Sequence, residues 1–114
     1  MNPGVQLNIE VNTLHEILDE LDYYRLLQLD PDCVQGDIEP ASRSASKKHH
    51  PDRVSALGDA DVSAKANEIF QRVKEAGENL SDPDKRAQYD EILKAGVLRM
   101  TDEALAIAEH ERLK

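Results

Sequence analysis

A long amphipathic stripe in the second half of the chain constrains the fold more than any other feature of the sequence. Its apolar and small residues recur at intervals of three and four, the spacing that places side chains on one face of an α-helix. The positions are Val62, Ala66, Ile69, Phe70, Val73, Ala76, Gly77 and Leu80. The stripe therefore predicts a long helix that buries one face against another part of the chain.

The first thirty residues combine a weak strand signal with a helix signal. Apolar residues alternate with polar ones over residues 5–11, which favours a short strand. Thr13 and Glu16 then have the spacing of a helix capping box. The apolar stripe that follows predicts a helix that either runs unbroken to about Leu29 or restarts at Asp22.

A second helix is predicted from about Asp37 to His49 or His50. Pro40 fits its first turn, where backbone N–H groups lack intrahelical partners, and Pro51 ends the helix. Its inward face is small and only weakly apolar. The members of that face are Ile38, Ala41, Ser42, Ala45 and His49.

Residues 52–61 are polar and are predicted to form a loop before the long helix. After the long helix, Ser81-Asp82-Pro83-Asp84 predicts a stop and a new cap, so that a further helix spans residues 84–95 and ends at Gly96. Thr101 is expected to cap a last helix. The chain is thus predicted to be all-α, with a hairpin formed by the helices that flank residues 52–61.

Charge is unevenly distributed along the sequence. The formal net charge is −9, which argues against binding to phosphate backbones and therefore against a nucleic-acid partner. Within residues 41–53, however, bases outnumber the single acid, Asp52. These bases are Arg43, Lys47, Lys48 and Arg53. A basic strip on an acidic protein predicts an acidic surface on whatever binds there.

Several other classes of function are disfavoured. No apolar run approaches the roughly 20 residues that span a bilayer, and no signal peptide is evident, so we expect no membrane partner. The single Cys33 fits a reducing compartment, and we expect a cytoplasmic protein. His49 and His50 are neighbours that diverge on a helix, and no second cluster has metal-ligand spacing. We therefore expect no metal, no cofactor and no catalytic residue.

Five blocks of sequence, in order and at matching spacing, resemble the J-domain family over about residues 21–94. They are Asp22-Tyr23-Tyr24-Arg25-Leu26-Leu27; Ile38 with Ala41 and Arg43; His50-Pro51-Asp52; Phe70 with Val73, Glu75 and Ala76; and Leu80-Ser81-Asp82-Pro83 leading into Lys85-Arg86-Ala87-Gln88-Tyr89-Asp90. The resemblance implies the fold of that family, an antiparallel hairpin of helices II and III with short helices I and IV. Residues 1–20 and 95–114 are then N-terminal and C-terminal extensions.

The resemblance also implies a co-chaperone, which docks on a DnaK-type heat-shock chaperone and stimulates its ATP hydrolysis without being an enzyme. In that family the tripeptide matched by His50, Pro51 and Asp52 activates the chaperone. The docking contacts would be Arg43, Lys47, Lys48 and Arg53. The chemistry of the tripeptide agrees, because Pro51 restricts the backbone and Asp52 offers a carboxylate that an Arg can bind through two hydrogen bonds.

The basic helix departs from the family pattern in its first turn. Glu39 and Pro40 stand where the family often has basic residues, so the positive face is shortened toward His50. This departure supports an alternative hypothesis, a protein-interaction or scaffold module that keeps the J fold but stimulates the chaperone weakly or not at all.

Two small residues, Ser42 and Gly77, stand where the second and third family helices commonly carry aromatic side chains. They predict a groove that is filled either by residues 5–11 or by the C-terminal segment around Leu98 and Leu105. A related hypothesis is self-association of the chain through its N-terminal or C-terminal extension.

Overall fold

A computed structural model describes residues 3–56, 58–101 and 106 of the chain. The helices are α1 (Pro3–Ile17), α2 (Tyr23–Leu26), α3 (Ile38–Lys48), α4 (Pro51–Ser55), α5 (Ala60–Ser81) and α6 (Pro83–Lys94), with 3-10 turns at Leu18–Glu20 and Gln35–Asp37. These ranges contain no strand, and the all-α prediction is confirmed. The predicted last helix after Thr101 lies outside the described residues, apart from Ala106.

Helices α3 and α5 form the predicted antiparallel hairpin. Ser42 lies against Gly77, whereas His50, just beyond the end of α3, packs its ring edgewise on Phe70 with centroids 5.4 Å apart. Residue numbers increase from Ser42 to His50, whereas those of the residues that they contact on α5 decrease from Gly77 to Phe70, so the two helices run in opposite directions. The stripe of α5 faces the core, and its buried members are Val62, Ala66, Ile69, Val73, Ala76, Gly77 and Leu80.

The predicted strand over residues 5–11 is wrong, because these residues belong to α1. Leu7, Val11 and Leu18 are buried, and Leu14 packs against the same core. These four residues are three or four positions apart, which is the spacing of an apolar face on a helix. The same segment also has apolar residues at alternate, odd-numbered positions, as a strand would, but the chain adopts the helix. The proposed capping box is wrong for the same reason, since Thr13 lies inside α1 rather than before it.

Helix α1 is held along α5 by polar contacts as well as by its buried stripe. His15 Nε2 lies 2.6 Å from Glu68 Oε2, and Lys65 Nζ donates a hydrogen bond of 2.8 Å to Asn12 Oδ1. Arg72 lies further along α5 and donates to the backbone oxygen of Leu18 at 3.4 Å. The N-terminal extension is therefore a third helix of the fold, parallel to α5.

Of the two predictions for the end of the first apolar stripe, the restart at Asp22 is confirmed. The 3-10 turn Leu18–Glu20 interrupts the helix, and Asp22 caps α2 by accepting a hydrogen bond of 2.8 Å from the Arg25 amide. The loop predicted over residues 52–61 is only partly correct, because α4 occupies its first half. Val54 is fully buried, and this apolar anchor holds α4 against the hairpin.

The groove predicted at Ser42 and Gly77 is absent. A methyl group placed on Gly77 would collide with the Ser42 hydroxyl and come within 3.1 Å of Ser42 Cβ. The two small residues thus let the backbones of α3 and α5 approach closely, and no space remains there for another segment. Leu98 lies elsewhere, where its backbone oxygen accepts from Tyr89 Oη at 2.8 Å, and Leu105 is outside the described residues.

Three buried tyrosines join α2, α6 and the segment after α6. The rings of Tyr23 and Tyr89 stack with centroids 4.4 Å apart, and the Tyr89 hydroxyl accepts from the Tyr23 amide at 2.9 Å. The Tyr23 hydroxyl in turn accepts from the Met100 amide at 2.8 Å. Tyr24 Oη donates to Asp90 Oδ1 at 2.5 Å. Residues 97–100 consequently pack back against the helical core.

Arg86 fastens α6 to the loop between α2 and α3. Its guanidinium donates to Tyr24 Oη at 2.9 Å, to the Gln35 side chain at 3.1 Å and to the Cys33 backbone oxygen at 2.7 Å. Because hydrogen bonds from a charged group contribute about 1.5–3 kcal/mol each and are not additive, we expect Arg86→Ala to lower the free energy of unfolding by about 2–3 kcal/mol. The matched control is Lys85→Ala, which removes an exposed base from the same helix. Urea denaturation of both variants checks this, and equal losses would contradict it.

Candidate functional site

The His50-Pro51-Asp52 tripeptide joins α3 to α4 at the end of the hairpin. Pro51 occupies the first position of α4, where its missing N–H leaves no partner unsatisfied. His50 has φ −59° and ψ 134°, an extended conformation of the kind that a following proline enforces. Pro51 therefore restricts the backbone of the bend, and the buried side chain of Val54 holds α4 against the core.

The side chains of His50 and Asp52 both reach solvent, but to different degrees. The Asp52 side chain is 95% exposed, and its carboxylate lies 3.9 Å from His50 Nδ1. His50 is about half exposed, because its ring rests on Phe70. Asp52 is thus held outward by the helix start, with its carboxylate available to an external donor.

The orientation of the His50 ring follows from a hydrogen bond within the tripeptide. Nδ1 accepts from the Asp52 amide at 3.2 Å, so the neutral ring carries its proton on Nε2. The bend then offers two complementary groups to a partner, an N–H donor from the imidazole and an acceptor from the carboxylate.

The four predicted basic residues differ in their surroundings. Arg43 Nη2 lies 2.8 Å from Glu39 Oε1 one turn earlier on α3, and Lys48 Nζ lies 3.4 Å from Glu10 Oε2 on α1. Lys47 and Arg53 are exposed, and neither forms an ion pair within the described residues. Lys47, Lys48 and Arg53 therefore lie beside the tripeptide, whereas Arg43 lies further back along α3, near Gln35 and Ser81, and two of the four bases are held by acids of the chain.

Glu10 is a member of this surface that sequence reasoning did not identify. It lies on α1, a segment expected to be a strand, and its contact with Lys48 depends on the packing of α1 beside α3. A helical interpretation of the stripe at Leu7, Val11 and Leu18 is the signal that would have placed Glu10 near the basic helix.

His49 behaves differently from His50 although the two are adjacent. It is 5% exposed, and burial together with the charge of Lys48 lowers its pKa, so the ring is neutral at pH 7. The prediction that His49 belongs to the inward face of the basic helix is confirmed.

The described residues hold no cluster of three or more potential metal ligands, and none of their helices has the length and apolarity needed to cross a membrane.

The sequence matches a family of known proteins over the region that contains the tripeptide. The DnaJ domain family model matches residues 22–90. The chain is 41% identical to the chaperone protein DnaJ of Nitrosomonas europaea over 70% of its own length and 20% of that relative. It is 45% identical to the chaperone protein DnaJ of Methylibium petroleiphilum, over 67% of the chain and 19% of the relative.

A third relative carries a different name. The curved DNA-binding protein of Pseudomonas syringae pv. tomato is 38% identical over 69% of this chain and 23% of its own length. The chain thus spans about a fifth of the length of the curated relatives that it matches. No solved structure matches it significantly. The family model covers more than half of the chain, including the tripeptide and the hairpin around it, and the chain belongs to the DnaJ-domain family.

Proposed function

We propose that this chain is a co-chaperone module that docks on a DnaK-type heat-shock chaperone and stimulates its ATP hydrolysis through His50, Pro51 and Asp52. The observation that carries the proposal is the outward carboxylate of Asp52, which is 95% exposed on a bend that proline and a buried valine keep in place. A carboxylate presented in this way suits a bidentate contact with an arginine of the partner. The module itself catalyses no step in this proposal.

The basic residues would act mainly on the encounter with the chaperone. Exposed charges at the rim of an interface accelerate association and make it sensitive to salt, while adding little to the final affinity. The remainder of the chain is acidic, so this end is where an acidic partner surface would be attracted. The same acidity argues against a nucleic-acid partner, although one relative is named for DNA binding.

A second candidate is an interaction module that binds the chaperone or another protein but stimulates hydrolysis weakly. The observation that favours it is the pairing of Arg43 with Glu39 and of Lys48 with Glu10, which weakens the positive field of the surface. Single-turnover ATP hydrolysis by a DnaK-type chaperone from the source organism, measured with increasing amounts of the chain, separates the two. Saturable acceleration supports the co-chaperone, and binding without acceleration supports the second candidate.

Lys47 and Arg43 provide a matched pair for testing the electrostatic contribution. Lys47 is exposed and has no ion pair within the described residues, whereas Arg43 is held by Glu39 at 2.8 Å. An exposed charge contributes about 0–1 kcal/mol, so we expect Lys47→Ala to slow association with the chaperone by about two- to fivefold at low salt. Arg43→Ala should have a smaller effect, because the guanidinium is already engaged by Glu39 and lies further from the tripeptide along α3. Stopped-flow association rates check this, and a larger effect of Arg43→Ala would contradict it.

A further inference from the structure

A groove of about 670 Å³ lies between α1 and α3, and residues of α2 and of the turn after it also line the groove. One wall carries Ile9, Thr13 and Ile17 at intervals of one helical turn, and the facing wall carries Ala41 and Ala45. Ile9 is 53% exposed and Ile17 is 40% exposed. They are two of only three large apolar side chains that are exposed within the described part of the chain, the third being Val34. The α1 extension thus places an apolar face in a concave site instead of burying it.

One residue of the groove wall carries an unpaired polar atom just beneath the surface. His49 is among the lining residues, is only 5% exposed, and its buried Nδ1 has no hydrogen-bond partner. Buried polar atoms in native proteins are nearly always paired, so an unpaired one marks a place where an incoming group can supply the missing partner. Because the ring is neutral, either a donor or an acceptor can pair with Nδ1, depending on the tautomer.

The rim of the groove is basic although the whole chain is acidic. Among the described residues, Lys48 and Arg25 line it, and the one acid that they share it with is Glu10, which lies 3.4 Å from Lys48. Arg25 lies 3.5 Å from Asp22, yet its side chain remains 73% exposed and can reach a second carboxylate. An occupant with acidic groups beside an apolar stripe therefore complements this groove, whereas the rest of the surface, with a net charge of −9 for the chain, repels it.

We propose that the groove binds an amphipathic helix of a partner protein, through two turns of apolar side chains flanked by carboxylates. The span from Ile9 to Ile17 is eight residues, or about 12 Å at 1.5 Å per residue, which matches slightly more than two turns of a bound helix. Apolar residues of the partner at i, i+3 or i+4, and i+7 would contact both walls, while an acid would reach Lys48. A rotation of the His49 ring toward the groove would let a hydroxyl or amide group near the middle of the helix pair with Nδ1.

The groove shares Lys48 with the proposed docking surface but contains no residue of the tripeptide, so peptide binding can be tested in the absence of the chaperone. The probe is an alanine-based helical peptide of about 18 residues with Leu at helical spacing, one central Ser and Glu at both flanks. Binding is measured by titrating the peptide into the full, isotope-labelled chain and following backbone amide signals. We expect shifts at residues of α1 and α3 that line the groove, and a Kd at least about tenfold weaker for the double variant Ile9→Ser, Ile17→Ser.

Two control variants make the outcome specific. Val34→Ser removes the exposed apolar residue outside the groove and should leave the Kd unchanged. Asp52→Asn should also bind the peptide with unchanged Kd. A chain that fails to stimulate the chaperone could therefore still bind the peptide, and a chain that fails to bind the peptide could still stimulate the chaperone. The absence of binding, or equal binding by the double variant, would overturn the proposal.

Two other occupants would be recognised in the same spectra, and each would also overturn it. Shifts at the groove that grow with chain concentration, without peptide, would identify a second copy of the chain. Shifts at residues 102–114 in the double variant, again without peptide, would identify the C-terminal segment of the chain itself.

Discussion

Asp52→Asn is expected to abolish stimulation of the chaperone while leaving the fold of the chain unchanged. The substitution keeps the size of the side chain but removes the negative charge that would pair with an arginine of the partner. Removing one member of a desolvated charge pair costs about 2–5 kcal/mol, so stimulation at a fixed concentration should fall by at least about 30-fold. The single-turnover hydrolysis assay measures this directly.

The control for this substitution is Asp32→Asn, which removes an exposed acid from the loop between α2 and α3, at the opposite end of the hairpin. It changes the net charge by the same amount and should leave stimulation intact. Because the Asp52 side chain is 95% exposed and its carboxylate comes no closer than 3.9 Å to the His50 ring, and because Asp32 is also exposed, both variants should unfold at nearly the wild-type temperature. Unaltered stimulation by Asp52→Asn would exclude the tripeptide as the activating element.

The second large effect is expected at alkaline pH, where the chain should unfold cooperatively. Burial and the hydrogen bond to Asp90 raise the pKa of Tyr24 to about 12, and burial also raises the pKa values of Tyr23 and Tyr89. In the unfolded chain all three titrate near pH 10. The stability that depends on their neutral forms is therefore complete below about pH 10 and is lost as the pH rises toward the folded-state pKa values.

The size of this loss follows from proton linkage. Above pH 10 the unfolded state releases up to three protons that the folded state retains, so stability should fall by up to about 4 kcal/mol per pH unit. A small domain with stability near 5 kcal/mol would unfold between about pH 11 and 12. Tyrosinate absorbance and helical circular dichroism should change together, in one transition. Tyrosine ionisation well before the loss of helix would contradict the buried positions of these rings.

Tyr24→Phe offers a specific control for the alkaline transition. It removes one ionising group and the hydrogen bonds to Asp90 and Arg86, so the variant should be less stable near neutral pH. Above pH 10 the stability of the variant should nevertheless fall less steeply, with a slope about one third smaller than that of the wild type. The slope distinguishes a titration effect from general destabilisation.

Most of the fold could be predicted because the helices of the hairpin carry strong local signals. The α5 stripe has an unbroken period, and Asp82 with Pro83 forms a cap and a first turn that have few alternatives. The α1 helix was missed because apolar residues at positions 5, 7, 9 and 11 satisfy both a strand and a helix pattern over a short window. Only the packing of Leu7 and Val11 on the hairpin decides between them.

The close approach of α3 and α5 shows a second limit of sequence reasoning. From the sequence alone, the small residues Ser42 and Gly77 are equally compatible with an empty groove and with a close contact between two helices. The structure shows the close contact, because α3 and α5 approach each other at these two residues. The tripeptide and its basic neighbours could be proposed as a site from sequence alone because they are contiguous along the chain. The pairing of Lys48 with Glu10 was not, because it joins residues that are distant in sequence.

The most direct test of the proposed mode of action is to map the interface by nuclear magnetic resonance, with an ATP-bound, hydrolysis-deficient DnaK-type chaperone added to the isotope-labelled chain. We expect the amide signals of residues 47–54 to broaden or shift first, together with those on the outward face of α3. If those signals stay unchanged while residues of α6 or the segment after it respond instead, the bend at the end of the hairpin is not the part of this protein that meets the chaperone.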